Sequence, residues 1–166
     1  MLAASSVAGS VPATVNKTEA NLPSVDLTCE VFGQVDFAVS GGGLSGIYTS
    51  HHRNCTSLDP RYQKYSAFLA TAAPNQVAGC PPTAFSGSAD LVWVNRDTLT
   101  LEQGTAAFEV SLATATFSLT VTSGPLTGDR IISAVVPVPG GVVTCPNGVP
   151  IPERLLINGQ GTFVRL

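Results

Sequence analysis

Between Gly104 and Val138 the chain alternates apolar and polar residues with a period of two, and this stretch restricts the possible folds more than any other. Ala106, Phe108, Val110 and Leu112 alternate with Thr105, Ala107, Glu109 and Ser111. Phe117, Leu119 and Val121 then alternate with Thr116, Ser118, Thr120 and Thr122. A third run from Arg130 to Val138 carries Ile131, Ile132, Val135, Val136 and Val138. Successive side chains of a strand point to opposite faces, so this pattern specifies half-buried β-strands. Ser123, Gly124, Pro125 and Gly128-Asp129 supply turn chemistry between the second and third runs. The stretch reads as a β-meander on which the other strands pack or extend.

The remaining strands follow the same logic. Thr28–Val39 places Cys29, Val31, Gly33, Val35, Phe37 and Val39 on one face, and Phe32 interrupts the polar face. Gly41-Gly42-Gly43 reverses the chain, because glycine accepts the positive φ of a tight turn. Leu44–Thr49 returns, Val77–Phe85 reads as a loop, and Gly87–Asn95 is a strand. That strand has Ala89, Leu91 and Trp93 on one face and Val92 and Val94 on the other, which suggests a central position. Thr98–Leu101 leads into the meander; Leu155–Ile157 and Gly161–Leu166 close the chain. The expected fold is all-β, an antiparallel β-sandwich or flattened β-barrel of about 8–10 strands. Residues 1–26 read as a flexible leader or a partner-binding arm, and residues 27–166 as a single β-domain.

Four cysteines, an even count, in a chain rich in Ser, Thr and Gly read as two disulfides and an oxidising, extracellular location. Cys29 and Cys55 each lie thirteen residues from Gly42, so an in-register hairpin brings them together. That favours Cys29–Cys55 with Cys80–Cys145. Three connectivities are open to four cysteines, Cys29–Cys80 with Cys55–Cys145 among them. Leu2–Ala13 lacks the positive start of an export signal, although Val11-Pro12-Ala13 is compatible with the remains of a cleavage region. A net charge of −3 argues against a nucleic-acid partner, and no apolar run approaches the ~20 residues of a membrane-spanning helix.

One segment stands apart. Within Tyr48–Tyr65 fall all three tyrosines, both histidines and three of the eight basic residues. Tyr48, His51, His52, Arg53, Arg61, Tyr62 and Tyr65 therefore form the candidate partner- or ligand-binding set, since Tyr and Arg dominate interface hot spots and aromatic rings stack on sugars. Asp59-Pro60 reads as a turn or helix start. Tyr62, Tyr65, Phe68, Leu69 and Ala72 fit a helical face up to Pro74, but an all-β context favours a turn over Asp59–Gln63 and a strand over Tyr65–Thr71.

Motifs for chemistry are weak. Adjacent His51 and His52 can share an ion with Asp59 only from a loop, because strand neighbours diverge. Ser45 lacks a nucleophile elbow, Gly41-Gly42-Gly43 precedes no helix, and nothing in the spacing selects a pair from Asp36, Asp90 and Glu109. Charged residues make up only 11% of the chain, so titratable groups are scarce where catalysis clusters them. The expectation is a protein that is not an enzyme and carries no cofactor or metal.

Gly87-Ser-Ala-Asp-Leu-Val-Trp-Val-Asn-Arg-Asp-Thr98, Val121-Thr-Ser-Gly-Pro-Leu-Thr-Gly-Asp129 and Asn158-Gly-Gln-Gly-Thr-Phe163 resemble stretches of a group of small secreted actinobacterial β-rich proteins. The resemblance covers about residues 28–166 and consists of turns and strand ends, with no catalytic residue. It implies a secreted β-domain, and some proteins of this kind are adaptor subunits of antibacterial toxin particles. The leading expectation is thus a protein–protein interaction module in an extracellular assembly. The alternative is a carbohydrate- or small-ligand-binding domain that uses the tyrosines and Trp93.

Overall fold

The computed structural model describes residues 24–165; residues 1–23, which hold most of the expected leader or partner-binding arm, and residue 166 lie outside the described residues. Eight long strands make the body: β1 (Ser24–Ser40), β2 (Gly43–Thr56), β3 (Tyr65–Thr71), β5 (Ala84–Asn95), β6 (Thr100–Ser111), β7 (Thr116–Ser123), β8 (Asp129–Pro137) and β11 (Arg154–Arg165). They pair in the order β1-β11-β8-β7-β6-β5-β3-β2, and β2 pairs back onto β1. Every pairing is antiparallel, so the sheet closes on itself as an eight-stranded barrel. Of the two expected forms, the barrel is the one found.

Three short strands complete the fold. β4 (Asn75–Val77) adds to the first residues of β2, beside the point where β3 leaves it. β9 (Val142–Thr144) and β10 (Pro150–Pro152) form a separate ribbon. The strands therefore exceed the expected 8–10 by these small additions.

Several expected boundaries move. The polar segment after Thr49 is not a departure from the sheet, because β2 continues to Thr56. Leu155–Ile157 and the stretch from Gly161 to Arg165 belong to one strand, β11 (Arg154–Arg165). The expected strand at Thr98–Leu101 and the first meander run are likewise one strand, β6. The Val77–Phe85 loop is bordered by β4 and by an earlier start of β5. The boundary set at residues 26 and 27 falls inside β1. Tyr65–Thr71 is a strand after a turn over residues 59–64, so the strand reading of that segment holds and the helical one does not.

The inward faces fill the barrel. Trp93, Tyr48, Phe85, Phe117 and Phe163 are fully buried there, with Leu27, Leu44, Leu91, Leu119, Ile131 and Ile157 around them. Small barrels are packed by their own side chains in this manner. Where two large side chains need room, glycine stands opposite. A Cβ on Gly161 would lie 2.1 Å from Ile131 Cδ1 and 2.6 Å from Val31 Cγ2.

The β1–β2 hairpin turns through Gly41 and Gly42, with φ of 61° and 81°, and Ser40 pairs with Gly43. Positive φ at both central residues is the two-residue turn whose twist matches paired strands. Both disulfides favoured by spacing are present, Cys29–Cys55 and Cys80–Cys145. The first ties the start of β1 to the end of β2. The second ties the loop after β4 to the β9–β10 ribbon at the opposite end of the barrel.

Candidate binding surface on the outer barrel face

β2 sorts the Tyr/His/Arg segment by strand alternation. Tyr48, Ser50 and His52 point into the barrel, while His51 and Arg53 point out. The inward three form a buried polar chain. Tyr48 Oη hydrogen-bonds with Ser50 Oγ at 2.6 Å, and Ser50 Oγ with His52 Nε2 at 2.8 Å. His52 stacks on Phe68 with ring centroids 3.8 Å apart. Burial pushes the imidazole down to about 3, with the charge of His51 adding to the effect, so His52 is neutral at physiological pH. Burial pushes the Tyr48 phenol up. The Ser50–His52 contact has the reach of a nucleophile–base pair, but Ser50 and His52 are 0% and 1% exposed, walled in by the barrel.

The rest of the set lies at the barrel end where β1 begins. Tyr65 is buried, and its hydroxyl donates to Glu102 Oε2 at 2.7 Å; burial and this carboxylate push the phenol up. Arg61 Nε donates to both oxygens of the half-buried Asp59 carboxylate, at 3.1 and 3.0 Å. Those bonds hold the Asp59 carboxyl below its usual range. Tyr62 accepts from Arg165 Nη2 at 2.8 Å. His51 and His52 diverge across the sheet, so they cannot close on one ion, and among the described residues no group of three potential ligands converges.

A different set meets on the outer face. The ladder places Phe32 opposite His51, His51 opposite Leu69, and Leu69 opposite Val92, so these four form one row across β1, β2, β3 and β5. One step along, Ala67 faces Val94. The row lines an apolar groove of about 460 Å³. A second groove, of about 330 Å³, continues it from Phe32 and His51 to Leu156 and Asn158. Phe32 is 42% exposed, with the Arg53 guanidinium 4.3 Å from its ring centroid. Arg53 in turn lies 3.6 Å from Glu30.

The structure therefore joins His51 and Arg53 to residues outside the sequence-derived set: Phe32, Leu69, Val92 and Val94. Tyr48, His52 and Tyr65 belong to the interior, and Arg61 and Tyr62 to the barrel end. The signals for the outer groove were present in the sequence as two irregularities. Phe32 breaks the polar face of β1, and β5 is apolar on both faces. Trp93 is fully buried, so the rings expected to stack on a sugar are, apart from Tyr62, enclosed.

A separate cavity of about 320 Å³ opens at the other barrel end. Phe37, Leu112, Val135 and Leu155 line it together with Pro81, Pro82, Pro150 and Pro152. The Cys80–Cys145 disulfide ties together the two segments that carry these prolines.

No protein-family model, curated protein or solved structure matches the chain.

Proposed function

We propose that the chain is a secreted, non-catalytic protein–protein interaction module, an adaptor or structural subunit of an extracellular assembly such as an antibacterial toxin particle. It docks through the outer face centred on Phe32. The observation that carries this reading is the Phe32–His51–Leu69–Val92 row, an apolar groove exposed on the strand faces beside an Arg–aromatic contact. Exposed apolar grooves of this kind mark interaction sites, and aromatic and arginine side chains supply most of the binding energy there. The two disulfides fit an oxidising extracellular setting.

Docking by the face is favoured over strand addition. Each of the eight barrel strands has neighbours on both sides, which leaves β4 and the β9–β10 ribbon as the short edges among the described residues. The test is the native mass of the protein in the medium of the producing culture. Wild type runs with a larger particle, and Phe32→Asp releases it as a 17.0 kDa monomer. Wild type running alone at 17.0 kDa overturns the proposal.

The proline-lined cavity supports a second reading, a binding domain for a small apolar ligand. Its volume of about 320 Å³ suits one ring or a short acyl chain, and its lining is almost wholly apolar. Binding of such a ligand would survive Phe32→Asp and be lost when Leu112→Trp fills the cavity.

A further inference from the structure

At the barrel end where β1 begins, a β-bulge does something the alternation of the strand would not. The ladder between β1 and β11 shifts register between Val25 and Leu27. As a result Asp26 and Leu27, although adjacent, are both buried, at 2% and 0% exposure. Bulges re-aim side chains, and this one turns a carboxyl into the barrel end. There it meets Asp129, the first residue of β8, which is 0% exposed. The guanidinium of Arg165 reaches both carboxyls, 3.4 Å from Asp26 Oδ2 and 3.1 Å from Asp129 Oδ1.

The groups around them do not neutralise both. Arg165 of β11 donates through Nε to Asp129 Oδ1, and its Nη2 faces Asp26 Oδ2. Ser24 Oγ donates to Asp26 Oδ1 at 3.0 Å. From the loop after β2, Tyr62 accepts from Arg165, and Arg61 is engaged by Asp59. Arg130 adjoins Asp129 on β8, and its Nε bonds to neither carboxyl. Two buried carboxylates thus share one close guanidinium. Among the described residues, Asp26 Oδ2 and Asp129 Oδ2 each lack a hydrogen-bond donor.

We propose that Asp26 and Asp129 share one proton, and that this proton bolts the first strand of the barrel to β8 through the Arg165 cluster. A bridging proton gives each orphaned oxygen a partner and leaves the cluster neutral, with one carboxyl, one carboxylate and one guanidinium. Like charges this close cannot both ionise in a site removed from water. Burial first, and then the bond to Asp26, push the Asp129 carboxyl up to about 6. The clasp is therefore closed in mildly acidic surroundings and carries an uncompensated charge above that pH. It lies where residues 1–23 join the barrel, so pH sets how firmly the start of β1 is held.

The experiment is a carbon-13 NMR titration of the aspartate carboxyls in the intact protein, with Asp26→Asn and Asp129→Asn assigning the two signals. The Asp129 carboxyl is expected to titrate near 6, well above an ordinary aspartate. Two ordinary titrations near 4 overturn the proposal. A second readout compares folding in wild type and Asp129→Asn, whose amide donates to Asp26 at every pH. The variant gains on wild type as pH rises from 4 to 8, by up to roughly a hundredfold in folding equilibrium constant. A constant ratio across that range overturns the proposal as well.

Discussion

Cys29 and Cys55 meet with their Cα atoms 4.1 Å apart because Asn54 stands out of the ladder just before Cys55. The hairpin register runs unbroken from Ser40↔Gly43 to Glu30↔Arg53, then resumes at Thr28↔Thr56. Without the shift, Asn54 would stand opposite Cys29 and Cys55 would point outward. Asn54 has φ of 51°, a conformation asparagine tolerates better than branched residues. Asn54→Gly is expected to leave the urea midpoint nearly unchanged. Asn54→Val should cost about 1–2 kcal/mol in the same measurement.

Gly161 gives a test of packing alone, because the obstacle to a larger residue is the side-chain wall of Ile131 and Val31. Gly161→Ala is expected to destabilise the protein by about 1–3 kcal/mol through overpacking. Ile131→Val removes the nearer of the two atoms that a Cβ would strike, and leaves Val31 Cγ2 in place. The double variant should therefore be more stable than the sum of the two single losses, as read from a double-mutant cycle of denaturant unfolding.

The Tyr48–Ser50–His52 chain makes stability depend on pH. His52 has a folded value of about 3, against about 6.5 when the chain is unfolded. As the pH falls, the unfolded chain takes up the proton first. The contribution of His52 is full above about 6.5 and is lost progressively toward 3. Asp129 works the other way, because its raised value makes the folded state bind the proton more tightly and stability falls as pH climbs to about 6. Between pH 4 and 6 the two slopes oppose. His52→Phe should therefore lose stability with rising pH in that window and Asp129→Asn should gain it, in thermal melts run at matched pH. Ser50→Ala orphans a hydroxyl and an imidazole nitrogen together, and should cost about 1–3 kcal/mol.

The outer groove separates binding from folding. Phe32 is half-exposed, so Phe32→Ser should shift the thermal midpoint by no more than a degree or two. If the groove is a hot spot, the same change should weaken partner binding by about 2 kcal/mol or more, roughly thirtyfold in Kd. Arg53→Ala should give a smaller loss, because Arg53 only covers the Phe32 ring. Calorimetry or surface binding with the assembly partner measures both.

Much of the barrel was legible because its inward residues are apolar and its outward ones are Ser and Thr. The runs over 105–111 and 116–122 show this most clearly, and their faces are as the alternation predicts, whereas in β8 the apolar Ile132 and Val136 face outward. Residues 50–56 were opaque for the opposite reason. Ser50 and His52 occupy the inward positions, so the apolar signal vanishes where the interior turns polar. The outer groove was missed because apolar residues on the second face of β5 suggest a covered strand, whereas in the barrel they meet Phe32 across β2 and β3. The Cys29–Cys55 pairing was reached from symmetry about Gly42, but the hairpin is centred between Gly41 and Gly42, and the Asn54 bulge supplies the missing step. Bulges at Asn54 and Asp26 leave no periodic trace. Nor does alternation tell a strand which neighbours it takes, so a sandwich and a closed barrel look alike until β1 is seen between β2 and β11.

That closure sets an order of events at the ribosome. β1 and β2 can zip together as soon as both have emerged, yet the other side of β1 waits for β11, and Ser24 pairs with Arg165. Until residues 154–165 appear, the nascent sheet has two raw margins, one on β1 and one on β8. Contacts between such distant parts of a chain form slowly. Synthesis therefore delivers an open ribbon, and the chain becomes a barrel only when its last strand slides in between its first and its eighth.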